Sequence, residues 1–125
     1  MKTSELTGTS LAYAVGIAEG CRVETWHRKL VAILFPGAPR AVPWSPHSNW
    51  AQGGPIIERE KIKVSPNVRG TWSAQIRHTE PHPLVSHPVL AGWTNSAGPT
   101  PLTAAMRCYV ASKLGDIVNI PKELE

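Results

Sequence analysis

Two segments near the ends of the chain repeat apolar residues at the spacing of an amphipathic helix. In the first segment, Leu11, Ala14, Val15 and Ala18 share one face, because residues three and four apart lie on the same side of a helix. Hydroxyl residues at positions 4, 7 and 9 can cap its first turn, and Gly20 follows as a stop signal. The pattern therefore predicts an N-terminal helix that ends before Gly20.

The second segment, near the C terminus, has clearer boundaries. Thr100 is placed to cap it, and Pro101 suits the first helical position, where a missing N–H costs nothing. Gly115 marks its end. Thr103 and Arg107 fall on the other side of the predicted helix, so we expect them to point outward. The predicted inner stripe consists of Leu102, Ala105, Met106, Tyr109 and Val110.

Between these helices the apolar period changes from helical spacing to two. Over residues 60–77, apolar and polar residues alternate on both sides of a turn that contains Pro66, Asn67 and Gly70. This arrangement predicts a β-hairpin. The apolar run at 30–35 predicts a buried strand that ends at the following Pro-Gly pair.

Proline dominates the rest of the middle of the chain. Of the 12 prolines, 11 fall between positions 36 and 101. Because proline lacks a backbone donor and fixes φ, we expect the stretches 36–49 and 78–100 to be ordered loops. After the C-terminal helix, residues 116–121 resemble a short strand that ends at a proline.

A Gly-Gly-Pro sequence at 53–55 precedes two isoleucines and a charged run. We interpret Gly53 and Gly54 as a turn and Pro55 as the start of a short helical turn that sends Ile56 and Ile57 into the core. The alternative is an anion site, since helix starts expose N–H groups. A phosphate loop, however, needs more glycines and usually a following lysine and hydroxyl residue.

These elements together predict an α+β fold in a single domain covering residues 1–125. Two terminal helices are expected to pack on a small, mostly antiparallel sheet, with long proline-rich loops along one edge. We expect the two helices to contact each other through Leu11, Val15, Met106 and Tyr109. The chain has 125 residues, which is enough to bury a core without disulfides or metals.

Charge and cysteine content narrow the functional classes. The net charge is +4, and residues 22–77 hold nine Lys/Arg against three Glu, which favours an anionic partner only moderately. Two cysteines without a secretion signal indicate a reduced cytoplasm. We expect Cys108 to be buried and Cys21 to be more exposed.

No apolar run is long enough to span a membrane, and nothing indicates a cofactor.

Two residue groups could carry a function. The first comprises basic side chains and one ring on or beside the predicted hairpin, the combination that single-strand nucleic-acid binders use. The alternative for its tryptophan is a core position, since the chain has few other large rings. The group consists of Arg59, Lys61, Lys63, Arg69, Trp72 and Arg77.

The second group is a weak metal-binding pattern, His78, Glu80, His82 and His87. In an extended segment, H-x-E-x-H puts its three side chains on one side, where imidazoles and a carboxylate can hold zinc. The alternative is surface histidines in a proline-rich loop. The chain has one aspartate and no cluster of carboxylates, so acid–base pairs of the glycosidase kind are not expected.

Three blocks of the sequence resemble a known family. They are "KTSELTG" with "AEG" within 2–20, "WAQGGPIIERE" at 50–60, and "GPTPLTAAMRCYVASKLGD" with "VNIPKELE" within 98–125. They are similar to the small NinX-type proteins of tailed phages and prophages. The resemblance implies a phage or prophage origin among accessory genes, and it carries over no active site.

Our functional hypothesis is therefore a phage or prophage accessory protein that binds a partner and catalyses no reaction. The partner would be a host protein, a phage protein or a second copy of the chain. The second hypothesis is a nucleic-acid-binding module that uses the basic hairpin. The third is a metal protein or enzyme built around the histidine segment.

Overall fold

The computed structural model describes residues 1–26, 30–80, 84 and 89–124 and shows an α+β fold, as predicted. Its helices are α1 (Gly8–Ala18), α2 (Trp50–Glu60) and α3 (Pro101–Leu114). Its strands are β1 (Arg22–Trp26), β2 (Leu30–Leu34), β3 (Val42–Pro43), β4 (Lys63–Pro66), β5 (Trp72–Glu80) and β6 (Val89–Gly98).

Local capping chemistry fixes the two terminal helices. At the start of α1, the backbone N–H of Thr7 donates to Ser10 Oγ at 3.1 Å. At the start of α3, the Thr100 hydroxyl accepts from the Thr103 N–H at 3.1 Å. Gly115 then ends α3 with a φ of 89°, which costs glycine little. Both predicted helices are confirmed.

The terminal helices contact each other, as expected. Leu11, Val15, Met106 and Tyr109 are all at most 1% exposed and belong to the same core cluster. One expectation about α3 was wrong, because Thr103 is buried and not outward-facing. Its hydroxyl accepts a bond from Thr100 Oγ1 at the helix start, and this bond satisfies it away from solvent.

The strands form two antiparallel three-stranded sheets and not the one sheet that we expected. The first has the order β1-β2-β3 and the second β4-β5-β6. The hairpin prediction is confirmed as β4 and β5, and the buried strand as β2. The prediction of a loop at 78–100 was wrong where the structure describes it, because most of that stretch belongs to β5 and β6. Residues 116–121 contribute one bridge, Lys2 to Ile117.

The interpretation of Gly53-Gly54-Pro55 as a turn was also wrong, since all three lie inside α2. The helix begins earlier, where Asn49 Oδ1 accepts from the Ala51 N–H at 2.9 Å. Pro55 removes one intrahelical bond, yet the helix continues because its other contacts outweigh that loss. Among them, Ile56 is buried as predicted.

Candidate nucleic-acid interface

The second sheet has one covered face and one exposed face. Alternation along β5 directs Ala74 and Ile76 inward, where both are buried, and the sheet packs on α3. The intervening Gln75 and Arg77 therefore lie on the other side. The register of β4 and β6 adds three more outward residues. We call this set the open face: Lys63, Gln75, Arg77, Trp93 and Asn95.

Cross-strand pairs organise the open face into two rows. Lys63, Gln75 and Asn95 form the first row, in which Gln75 Nε2 donates to Asn95 Oδ1 at 2.7 Å. Arg77 and Trp93 form the second row. The Arg77 guanidinium carbon lies 4.5 Å from the Trp93 ring centroid, which is cation–π geometry. Trp93 is nevertheless 45% exposed, so part of its ring remains free for a ligand.

A hollow of about 400 Å³ adjoins these rows. Three cations line it, Lys61, Lys63 and Arg77, together with Trp93 and a single carboxylate, Glu60. That carboxylate is already bound elsewhere, at 3.2 Å from Lys113 Nζ and 3.1 Å from Arg59 Nε. The hollow is therefore a basic site beside an exposed aromatic ring.

The structure brings together only part of the basic group proposed from the sequence. Lys61, Lys63 and Arg77 share the hollow. Arg69 lies in the exposed turn between β4 and β5. Trp72 is half-buried and packs against the core, in agreement with the alternative interpretation of that tryptophan.

The aromatic residue of the site is Trp93, which sequence reasoning missed. It lies in the segment 78–100, which we expected to be a loop. That segment gives no strand signal at Trp93, because Thr94, Asn95 and Ser96 are all polar and do not alternate with apolar residues. Only the register with β5 places the ring beside Arg77.

Arg59, the sixth residue of that group, joins three helices and is not a free cation. Its guanidinium binds Glu19 through two contacts, Nη2 to Oε2 at 2.7 Å and Nη1 to Oε1 at 3.2 Å. Tyr109 Oη donates to Glu19 Oε2 at 2.7 Å and also accepts from Arg59. Burial first, and then the bond to Glu19, raise the pKa of Tyr109, so the phenol stays protonated.

The metal-binding hypothesis falls largely outside the part of the chain that the structure describes. His82 and His87 lie outside the described residues, as does the side chain of Glu80. His78 bonds through Nε2 to Thr94 Oγ1. The register between β5 and β6 shifts beside His78, where Ala91 is an extra residue in β6. Within the described ranges, no three His, Cys, Asp or Glu residues group closely enough to hold a metal.

The two thiols are free and unactivated. Cys108 is buried, and burial raises its pKa to about 11. Its Sγ lies 3.2 Å from the Thr94 carbonyl oxygen beneath β6. Cys21 is half-buried, and both burial and the Glu19 charge raise the pKa of its thiol. Neither cysteine has the lowered pKa of a catalytic nucleophile.

The fold and this face define a small α+β protein with a basic, aromatic sheet surface. The family model described as Bacteriophage P22, NinX matches residues 2–113, so the chain belongs to the NinX family of phage proteins. No curated protein sequence matches the chain. Within the described residues, every helix is too short or too polar to cross a membrane.

Proposed function

We propose that this NinX-family protein acts by binding and not by catalysis, and that its open face holds single-stranded nucleic acid. One observation carries the proposal: the half-exposed Trp93 ring lies against Arg77 at the edge of a hollow lined by three cations. Rings stack on unpaired bases of any sequence, and cations follow the phosphates.

The shape of the surface favours single strands over duplex. Base stacking on Trp93 or on the planar guanidinium of Arg77 requires a base that is not already stacked in a helix. The Gln75–Asn95 amide pair adds donors and acceptors that match base edges. Base-specific reading of a duplex usually requires an element that enters the major groove, and the open face is a broad sheet surface.

Binding without catalysis is supported by the chemistry of the two thiols and of the Tyr109 phenol. The thiols of Cys21 and Cys108 both have raised pKa values, which keeps them protonated near neutral pH. The Tyr109 phenol is committed to Glu19 and Arg59 in the interior. These groups serve packing and helix contacts.

Fluorescence anisotropy with a labelled oligothymidine, its RNA counterpart and a duplex of equal length tests the proposal. Trp93→Ala should weaken single-strand binding by about 1–3 kcal/mol, or roughly fivefold to 150-fold, the usual contribution of one stacked base. Trp50→Ala is the matched control, because Trp50 is 57% exposed but lies on α2, away from the open face. Equal losses in the two variants would refute the assigned face.

The salt dependence gives an independent readout. Three phosphate contacts, from Lys61, Lys63 and Arg77, predict a slope of about −2 for the logarithm of affinity against the logarithm of salt concentration. Arg77→Gln should make this slope shallower by about 0.7, whereas Arg40→Gln, in an exposed loop, should leave it unchanged. Absence of any salt-sensitive binding would overturn the proposal.

A protein partner from host or phage is the second candidate, and Trp50 favours it. This exposed ring adjoins a hollow of about 360 Å³ that is also lined by His47, Thr100 and Leu102. Exposed aromatic anchors beside pockets are typical of protein interfaces. Co-purification from an infected host should recover a partner with the native chain and with Trp93→Ala, but not with Trp50→Ala. Recovery of the same proteins with the native chain and both variants would argue against a protein interface at Trp50.

A further inference from the structure

Strand β6 has a free edge. Among the described strands, β6 pairs with β5 alone. Beside it, a cleft of about 450 Å³ separates residues 93–96 from residues 2–4 and 116–117. The segment 92–98 contains no charge and no proline, which are two of the devices that protect an edge strand from pairing with another chain.

Backbone groups of Trp93 and Asn95 point toward this cleft. In an antiparallel pair, successive residues direct their N–H and C=O groups alternately toward the partner strand and away from it. In the turn before β5, the Asn67 N–H donates to the Thr71 carbonyl at 2.8 Å, so the odd-numbered residues of β5 face β4 and the even-numbered ones face β6. Their partners Thr94 and Ser96 therefore face β5, and the backbone groups of Trp93 and Asn95 face away from it, toward a possible further strand. Ala97 also faces away from β5, and its carbonyl accepts from Arg107 Nη1 at 2.9 Å.

The side chains of this segment are self-complementary about Asn95. The sequence from 92 to 98 is Gly-Trp-Thr-Asn-Ser-Ala-Gly. A twofold axis at Asn95 would set the large Trp93 opposite the small Ala97 of the second copy. It would also pair a threonine with a serine and a glycine with a glycine. Of these pairs, the threonine–serine pairs are cross-strand combinations that stabilise a sheet, and the tryptophan–alanine pairs avoid a clash between two large side chains.

We propose that this edge is a homodimer interface, in which β6 pairs antiparallel with β6 of a second copy about a twofold axis at Asn95. The result is a continuous six-stranded sheet. Asn95 Oδ1 accepts from Gln75, and its amide N–H groups can donate to the second Asn95, which extends the amide row across the axis. The two Lys63 side chains end this row about 24 Å apart, at five strand spacings, so they do not repel.

The dimer does not depend on the proposed nucleic-acid function, and oligomeric state can be measured without a ligand. Sedimentation equilibrium over a wide concentration range should give a mass that rises from 13.6 kDa toward twice that value. Asn95→Pro should raise the dimer dissociation constant at least about tenfold. Proline at this position removes only the N–H that faces the free edge and keeps the β5–β6 bonds. Asn95→Ser keeps that N–H and should still dimerise.

A cross-linking experiment decides the geometry even if the proline variant folds poorly. In a Cys21→Ser background, Asn95→Cys should form a disulfide dimer under mild oxidation, because directly opposed residues place their Cα atoms within disulfide range. Lys63→Cys, on the same open face but at the far strand, should remain monomeric. A native chain that is monomeric at every concentration, or equal cross-linking at both positions, would overturn the proposal.

Discussion

The two adjacent glycines of α2 should respond in different ways to the same substitution. A Cβ atom placed on Gly53 would lie 2.7 Å from Leu102 Cδ2 and closer still to the carbonyl oxygen of Pro46. Pro46 is among the fully buried residues. Because the nearer obstacle is a backbone carbonyl and not a flexible side chain, the alanine must push α2 away from the segment that precedes it.

The magnitude follows from two opposing contributions to the free energy of unfolding. Forcing an extra methyl group into a packed site costs about 1–3 kcal/mol, and a rigid carbonyl places Gly53→Ala at the upper end. Alanine regains about 1 kcal/mol over glycine in a helix interior. The net loss is therefore about 2 kcal/mol. For a domain of this size, that loss corresponds to a fall in Tm of roughly 6–10 °C.

Gly54→Ala is the matched control in the same helix. The nearest outside atom to a Cβ there is Trp50 Cε3 at 3.9 Å, an ordinary contact. The helix-propensity gain of about 1 kcal/mol is opposed by strain against the following Pro55, which disfavours helical backbone in the residue before it. We therefore expect little net change at this position.

Urea unfolding followed by far-ultraviolet circular dichroism measures both variants, and the midpoint and slope together give the free energy of unfolding. The packing of α2 against Pro46 requires Gly53→Ala to be the less stable variant by about 2 kcal/mol. Two outcomes would contradict this reasoning: Gly53→Ala as stable as the native chain, or Gly54→Ala destabilised as much as Gly53→Ala. In either case, the contact between Gly53 and the Pro46 carbonyl would not hold α2 in place.

Two further variants test the helix ends and the ion pairs. Thr100→Ala should cost about 1 kcal/mol of stability in urea unfolding, because an early N–H of α3 loses its acceptor; an unchanged midpoint would contradict this role. Burial acts to raise the pKa of Glu60, but hydrogen bonds from Arg59 and Lys113 lower it below its ordinary value. The ionised Glu60 carboxylate therefore stabilises the fold at pH values above the ordinary pKa of glutamate. This stabilisation is lost as the pH falls through the lowered pKa of the folded state. Glu60→Gln should be less stable than the native chain at neutral pH, with the difference vanishing in acid; a constant difference across pH would contradict the ion pairs.

The terminal helices could be predicted because the signals that define them are local. Thr100 and Pro101 mark the start of α3 and Gly115 its end, all within the segment itself. Their apolar stripes also had the right period, so the contact between the two helices followed. Local capping chemistry and a long apolar period are the features that a single sequence states most directly.

The elements that depend on distant contacts could not be predicted in the same way. Gly53 lies inside α2 because the helix approaches the backbone of Pro46 at this position, and no local sequence pattern predicts that contact. Strand β6 contains Gly92, with a φ of 125°, and several residues of low strand propensity. It is a strand because β5 pairs with it.

The same distinction applies to the aromatic residue of the candidate site. Trp72 and Arg77 are an odd number of positions apart on β5, so regular alternation places them on opposite faces. The spacing alone therefore indicates that Trp72 and Arg77, which the sequence analysis grouped together, do not share a surface. Identifying Trp93 as the aromatic residue of the site requires the register between β5 and β6, which pairs Trp93 with Arg77. The sequence of either strand alone does not predict this register.

The salt dependence of binding can distinguish the surface inferred from sequence from the one in the structure. The sequence grouped five cations, Arg59, Lys61, Lys63, Arg69 and Arg77, and five phosphate contacts would give a slope of about −3.5. In the structure Arg59 is bound to Glu19 and Arg69 lies in a turn, so three cations remain at the hollow. Three contacts give a slope of about −2. A measured slope near −3.5 would mean that the ligand extends along the hairpin to its turn, and the open face alone would then not be the site.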